Sequence, residues 1–480
     1  MKKLFSVFSV VFAVSTALSG QVDRVLVRQQ WPWNADVRIE YVVSGLSAPA
    51  AVSFKFFEGD AEIPVSDAKA IKGDSMYAKN GINIATFSPK ELFGSLSAPQ
   101  YTAFSVKVVL GNEDASMGDK LYRIVDLDTG KVDDLVRADF YNGKYGTFET
   151  SYTAIKSDFS TTLTDVFIWT GVTNNPAYRE SKMVLRKINA ANVEWLMGTN
   201  NPPGGVSLPA TPHLVKLTKD YYIGVFPVTQ LQYAKLNGGM GSKFTDDEKY
   251  PGHGGFPVYG IAYNTWRGKN THWTADGSDV DEGSYLDKLR KKCGGTILFD
   301  LATEAQWEFA CRGGNYEAVL YSGKAYGQNS LKELGWCLEN SPVLADGSSQ
   351  PHPVGLKYPN AYGLYDMLGN MLEWCLDFSN GGDYGWKSKT EPEIDPQGVP
   401  FSEITLDKSG NGQHIVRGGA YNRTRTNMTV CYRDENIGSS TDNAGARICC
   451  PAELLYETSF NSPLFDDSWF LFCIRDTHYS

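Results

Sequence analysis

The stretch Asn360-Ala-Tyr-Gly-Leu-Tyr-Asp-Met-Leu-Gly-Asn-Met-Leu-Glu-Trp374 constrains the fold of this chain more than any other. Its apolar residues follow neither the helical period nor the alternation of a strand. Turn formers, aromatics, an acid and amides are strung together instead, ending on Glu373-Trp374. Such a segment is ordered by specific contacts rather than by propensity. Two segments of the same kind flank it: Leu301-Ala-Thr-Glu-Ala-Gln-Trp-Glu-Phe-Ala-Cys-Arg-Gly-Gly314 upstream and Val416-Arg-Gly-Gly-Ala-Tyr421 downstream.

The chain has 480 residues, 42% hydrophobic and 21% charged, enough for about two to four globular domains. A net charge of −10 without a long Lys/Arg run argues against a nucleic-acid or anionic-membrane partner. Residues 1–19 read as a signal peptide. Lys2 and Lys3 form the basic region, Leu4 to Ala17 the apolar one, and Ala17-Leu-Ser19 the small-x-small cleavage site. The apolar run is too short for a membrane span, and no later segment is long and apolar enough, so the mature chain is expected without a transmembrane anchor. The expected location is secreted or periplasmic. All eight cysteines fall between Cys293 and Cys473, and export makes disulfides the default expectation.

Residues 22–112 predict an all-β, sandwich-like module. Val37, Ile39, Tyr41 and Val43 alternate up to Gly45, Val52-Ser-Phe-Lys-Phe56 repeats the period, and Ala103 to Leu110 repeats it again. Trp31-Pro-Trp33 reads as a core plug. Residues 113–182 read as a β-rich connector or small domain, with a strand at Leu121-Tyr-Arg-Ile-Val125. The last region, 183–480, opens with a strand at Met183 to Ile188. His213 to Leu217 and Tyr221 to Phe226 are expected to pair around Thr218-Lys-Asp220. Thr229-Gln-Leu-Gln232 and Thr303-Glu-Ala-Gln306 are capping boxes that start helices, stopped at Gly238-Gly239 and Gly313-Gly314. A further helix is expected over Tyr285 to Cys293. The remainder is loop, unusual for a domain this size.

Together and in this order, the three segments resemble those of the formylglycine-generating enzyme family, the sulfatase-modifying factors, from about Met183 to the end. The resemblance implies an α+β fold for that region: a compact, loop-rich, C-type-lectin-like domain. It also implies a chemistry. Family enzymes oxidise a sulfatase cysteine to formylglycine with molecular oxygen, on Cu(I) held by two cysteines that follow a Gly-Gly-Ser-aromatic segment. Cu(I) is soft and prefers thiolates. Here Gly418-Gly-Ala-Tyr421 matches the lead-in, with Ala420 for Ser, but the two cysteine positions fall on or near Arg423 and Met428. No cysteine occurs between Cys375 and Cys431. A thioether cannot form a mixed disulfide with substrate, and a guanidinium cannot ligate copper. Copper and a catalytic residue are therefore not expected.

The resemblance implies further residues. Cys311 is expected to bridge Cys449, with Cys450 as the other choice of partner; Cys431 reads as a structural cysteine. A structural calcium site is implied at Asn370 and Glu373, since oxygen ligands on a tight turn suit a hard cation. The competing reading makes Asn370 an Asx-type turn and pairs Glu373 with an arginine such as Arg417. Trp374, Arg417, Arg423, Met428 and Arg433 are candidates to line a groove. The six histidines show no ligand spacing, and no nucleophile elbow is present. The expectation is an exported pseudoenzyme that binds a peptide, protein or glycan in its groove. The alternatives are an active sulfur-oxidising enzyme with relocated metal ligands and a structural exported protein.

Overall fold

The computed structural model describes residues 20–29, 36–94, 103–155, 160–199, 210–241, 255–268, 280–313, 333–341, 349–382, 391–438 and 444–453. The expected signal peptide, Trp31-Pro-Trp33 and Cys473 lie outside them. The chain forms two compact units. One comprises Met1–Leu121, Asp134–Phe148 and Thr170–Val172; the other comprises Tyr122–Asp133, Glu149–Trp169 and Thr173–Ser480. The stretch 113–182 is thus divided between them.

The first unit contains two antiparallel sheets. In one, Gln21–Gln29, Val37–Ser44, Gly81–Phe87 and Lys72–Gly73 are neighbours in that order. In the other, Ala50–Glu58 pairs with Ala61–Ile63, Tyr77–Ala78 and Phe104–Glu113. Val37–Ser44 alternates buried and half-buried residues, the pattern of a strand with one face in a core. Ile39 and Tyr41 from one sheet share a cluster with Phe56, Val106 and Val108 from the other. This is a sandwich arrangement.

The second unit is a mixed, β-rich fold with few helices. Its central sheet runs Lys120–Asp126, Lys182–Ile188, Tyr221–Gly224, Ile448–Pro451 and Asp300–Leu301 in order. A second sheet runs Arg433–Ile437, Gln413–Arg417, Leu372–Ser379 and Ala444–Gly445. The strands His213–Leu217 and Tyr221–Gly224 do not pair with each other. His213–Leu217 lies between Val193–Met197 and Glu393–Ile394, whereas Tyr221–Gly224 sits inside the central sheet. Burial explains the separation. All four residues of Tyr221–Gly224 are buried, so the strand needs cover on both faces, while His213–Leu217 alternates.

Both capping boxes form. Thr229 caps Gln230–Asn237, which Gly238 ends in the left-handed region at φ 75°. Thr303 accepts from Gln306 N while Gln306 Oε1 accepts from Thr303 N, and the helix Glu304–Cys311 follows. Ser284 caps Tyr285–Lys292. Among the described residues, no helix is long and apolar enough to cross a membrane. Thr303→Ala removes a cap from a buried helix and is expected to lower the unfolding free energy by about 1 kcal/mol in urea denaturation. An unchanged midpoint would show that packing alone holds the helix end.

Candidate functional site

The three segments singled out in the sequence meet around the helix Glu304–Cys311. Asn360 closes its C-terminal end: its Nδ2 donates to Ala310 O and Cys311 O at 2.8 and 3.2 Å, and its Oδ1 accepts from Tyr362 N and Leu364 N. Asp366 and Asn370 then take left-handed φ values of 56° and 63°, which is why no regular period runs through this stretch. Asn370 clamps a neighbouring loop by accepting from His352 N at 2.9 Å and donating to His352 O at 3.0 Å. Its own carbonyl accepts from Tyr421 N, which fastens the downstream segment as well.

A buried ion network lies beneath these loops. Glu308 is clamped by Arg312, at 2.5 Å, and by Arg417, and it also accepts from Gly198 N. Burial alone would raise its pKa, but Arg312 and Arg417 outweigh that and hold the carboxyl at about 2. Glu304 takes Arg433 through Nε at 2.6 Å and Nη2 at 2.9 Å. Glu373 takes Arg447 through Nε and Nη2, and accepts from Trp307 Nε1 at 2.7 Å. Asp377 accepts from Glu304 N at 2.6 Å. Burial, and then the Glu304 charge, push Asp377 up to about 8.

These contacts assign most of the sequence candidates to the interior. Trp374 is buried, donating from Nε1 to Ile261 O, and Arg417 and Arg433 are buried in the network. They do not line a groove, because their polar atoms face carboxylates and carbonyls of the core. Glu373 and Asn370 do not fit a calcium site. Both Glu373 oxygens face Arg447, which supplies the cationic charge a metal would, and the Asn370 amide is used on His352 and Asp366. The arginine paired with Glu373 is Arg447 rather than Arg417. Among the described residues, no three His, Cys, Asp or Glu side chains converge to hold a metal ion.

The Cys311–Cys449 disulfide is not formed. Both are free thiols in one apolar cluster, and burial pushes both pKa values up. The vicinal pair splits between two clusters, Cys449 to one and Cys450 to the other, as strand residues on opposite faces must. The remaining candidates are on the loop after Gly418-Gly419, which turns at φ 97° and 75°. There Arg423 is exposed and Met428 is fully buried.

Sequence reasoning missed what packs against that loop. Leu338 N donates to Arg423 O at 2.9 Å, and Arg425 N donates to both Glu339 oxygens. The Gly335 backbone is so close to Leu368 O and the Met428 methyl that a Cβ there would meet them at 1.8 and 2.7 Å. Cys337, in the same apolar cluster as Met428, lies on this loop and donates to Glu339 Oε2 at 3.0 Å. Burial, reinforced by Glu339, pushes its thiol up to about 12. Next to it, Trp336 stacks on His352 at 3.6 Å, and Lys357 Nζ stands 3.6 Å from the Trp336 ring. Burial lowers His352 to about 4, so the imidazole is neutral at physiological pH. No spacing in the sequence signals this cluster, since its members come from two loops joined only in the tertiary structure.

A family model described as the sulfatase-modifying factor enzyme 1-like domain matches residues 191–451, more than half of the chain. The chain belongs to this family. It is 27% identical over 214 residues to a formylglycine-generating enzyme of Thermomonospora curvata, covering 44% of this chain and 59% of that one. It is 31% identical over 173 residues to the formylglycine-generating enzyme of Bos taurus, covering 33% of this chain and 40% of that one. It is also 28% identical over 186 residues to the chaperone protein LppX of Paenibacillus barcinonensis, covering 33% and 62%. The chain therefore spans less than two thirds of the length of each of these relatives. Among solved structures, Treponema denticola variable protein 1 matches with a TM-score of 0.39 and 23% identity, covering 56% of this chain and 95% of that one.

Two predictions test the network. Glu308→Ala leaves Arg312 and Arg417 buried without their carboxylate and is expected to cost about 3–5 kcal/mol in urea denaturation, well beyond the loss of a helix cap. A loss near 1 kcal/mol would overturn the clamp. For Asp377 the native pKa is raised, so between the ordinary carboxylate range and about 8 the native state holds a proton that the unfolded chain has released. Its contribution to stability falls as pH climbs through that window and is level above it. Asp377→Asn is expected to flatten the decline in melting temperature from about pH 5 to about pH 9. Parallel pH profiles for wild type and variant would refute the raised pKa.

Proposed function

We propose that this chain is an exported, C-type-lectin-like member of the sulfatase-modifying-factor family that does not generate formylglycine and instead binds a peptide, protein or glycan ligand. The observation that carries the reading is the pair of residues after Gly418-Gly-Ala-Tyr421. Where the resemblance calls for two copper thiolates, the chain has an exposed guanidinium, Arg423, and a buried thioether, Met428. This donor set does not fit Cu(I) held by two thiolates. Neither residue can join a substrate cysteine in a mixed disulfide. The expected signal peptide supports export, and ordered loops on a rigid frame suit variable binding sites.

The alternative, oxidation through relocated ligands, would draw on Cys431 with Cys449 or Cys450, or on Cys337, whose loop is bonded to that of Arg423. Burial pushes the Cys337 pKa up to about 12, so a metal bound there would have to displace the thiol proton. A Cys-x-Pro-x-Arg peptide incubated with the purified chain, oxygen and Cu(I), and followed by mass spectrometry, is expected to retain its cysteine. Conversion to formylglycine would sink the non-catalytic reading, and its loss in Cys337→Ser would assign the relocated ligand.

A further inference from the structure

We propose that the surface formed by the loops of Trp336, His352 and Asn422 binds a neutral carbohydrate, with sugar hydroxyls on its buried polar atoms and the C–H face of a sugar ring on Tyr358. This names the ligand class for the binding function proposed above and rests on it.

Five side chains here bury a polar atom that has no hydrogen-bond partner: Trp336 Nε1, Ser341 Oγ, Gln350 Oε1, His352 Nε2 and Asn422 Oδ1. Ser341 is only 6% exposed and His352 only 9%. The five are on three segments that Asn370 joins. Its N–H donates to Trp336 O at 2.8 Å, its carbonyl accepts from Tyr421 N at 3.0 Å, and its side chain holds the backbone of His352. The His352 imidazole stacks on Trp336 at 3.6 Å, and Ser341 N donates to Cys337 O. Buried polar groups are costly to leave unpaired, so a concentration of them at one place calls for an occupant.

The set fixes the chemistry of that occupant. An indole N–H only donates, an amide oxygen only accepts, and a hydroxyl or a neutral imidazole does either. A carboxylate or phosphate only accepts, and would leave the Gln350 and Asn422 oxygens unserved. The chain's net charge of −10 also opposes an anion. A sugar hydroxyl donates and accepts at once, and a pyranose ring carries several at fixed spacing. The N–H and C=O groups of a peptide are read best by a strand edge, whereas all five atoms belong to residues outside the strands.

The rim supplies the apolar half. Of the large hydrophobic side chains exposed among the described residues, Tyr358 is the aromatic one, at 60%, and Leu356 and Leu338 are exposed beside it. Tyr358 N donates to Glu333 O at 2.8 Å, and Leu338 N to Arg423 O at 2.9 Å, so the three segments share one rim. A flat ring with a polar tip suits the C–H face of a sugar, whose hydroxyls then point from its edge. The five orphan atoms lie below the surface, so a bound sugar displaces a side chain. Lys357, whose Nζ stands 3.6 Å from the indole ring, has the rotamer freedom to move, and its charge takes no part in the recognition.

The test is the full chain on an array of neutral, sialylated and sulfated glycans, followed by calorimetric titration of a neutral oligosaccharide that binds. Neutral glycans are expected to bind, with an affinity that added salt leaves unchanged. Tyr358→Ala, at an exposed position, is expected to weaken binding about tenfold, as is Trp336→Phe, which keeps a ring and removes the N–H. Melting temperatures establish that the variants fold. Should Trp336→Phe not fold, Asn422→Ala removes an acceptor from a half-buried position and is expected to weaken binding about threefold. Neutral glycans that bind the folded variants as tightly as wild type overturn this surface and leave the binding function intact. An array on which only acidic glycans bind, or none, overturns it too, and binders from a displayed peptide library would then give the function a peptide ligand instead. Formylglycine formation from the cysteine peptide, by contrast, would refute the non-catalytic function without altering these variant effects.

Discussion

The second unit depends on carboxylates and guanidiniums held together in a dry interior. Glu308, Arg417 and Arg312 are all at or near zero exposure, and so are Glu373 and Arg447. Removing such charges from water is expensive, and their attraction offsets that cost only when the geometry is good and the leftover donors are satisfied. Here most are: Arg447 also donates to Gly224 O and Tyr365 O, Arg312 to Gly198 O, and Arg417 to Tyr432 O, while Arg417 Nε stands 3.5 Å from Glu304 Oε1. The acceptors are backbone carbonyls of different loops and strands. At Gly198, Tyr365 and Tyr432 these bonds fix main chain that lies outside the strands and helices. A loop-rich domain of this kind takes its order from such cross-links, because sheet and helix pairing reach only part of it.

This explains which features were legible in the sequence. Local devices were read correctly because their physics is local. The capping boxes at Thr229 and Thr303 need only residues three positions apart, and the alternation of Val37 to Val43 needs only one face in a core. The partner of Tyr221–Gly224 was not legible, since a strand buried on both faces does not say which strands flank it. Arginine partners were equally hidden. Glu373 sits opposite Arg417 in the strand register, yet its side chain pairs with Arg447. Register gives Cα neighbours, and a long side chain chooses among several carboxylates within reach. The same limit concealed the Trp336 cluster, whose members meet only because Asn370 clamps the backbone of His352 and the carbonyl of Trp336.

The cysteines illustrate a second limit. An even count in a chain expected to be exported points to bridges, and burial alone gives a different reason for a cysteine to be there. Cys311, Cys375 and Cys449 are fully covered and have raised pKa values, the behaviour of small apolar side chains with inert thiols. Composition cannot distinguish the two roles, because both put sulfur in a core.

Scaffold and reactive positions are separable in this fold. The residues that order the loops, Asn360, Asn370, Glu308 and Glu373, make their contacts with the helix Glu304–Cys311 and its surroundings. Arg423 and Met428 contribute to none of those clamps: one side chain is in solvent and the other fills apolar space against Gly335. Exchanging thiols for a guanidinium and a thioether at these positions leaves the ion network untouched. The surface beside this loop carries the exposed Arg423 guanidinium, with Leu338 exposed next to it. A frame whose order is independent of the residues at these two positions can accept changes there without losing its fold, which is why function in such a scaffold has to be argued from the site and not from the frame.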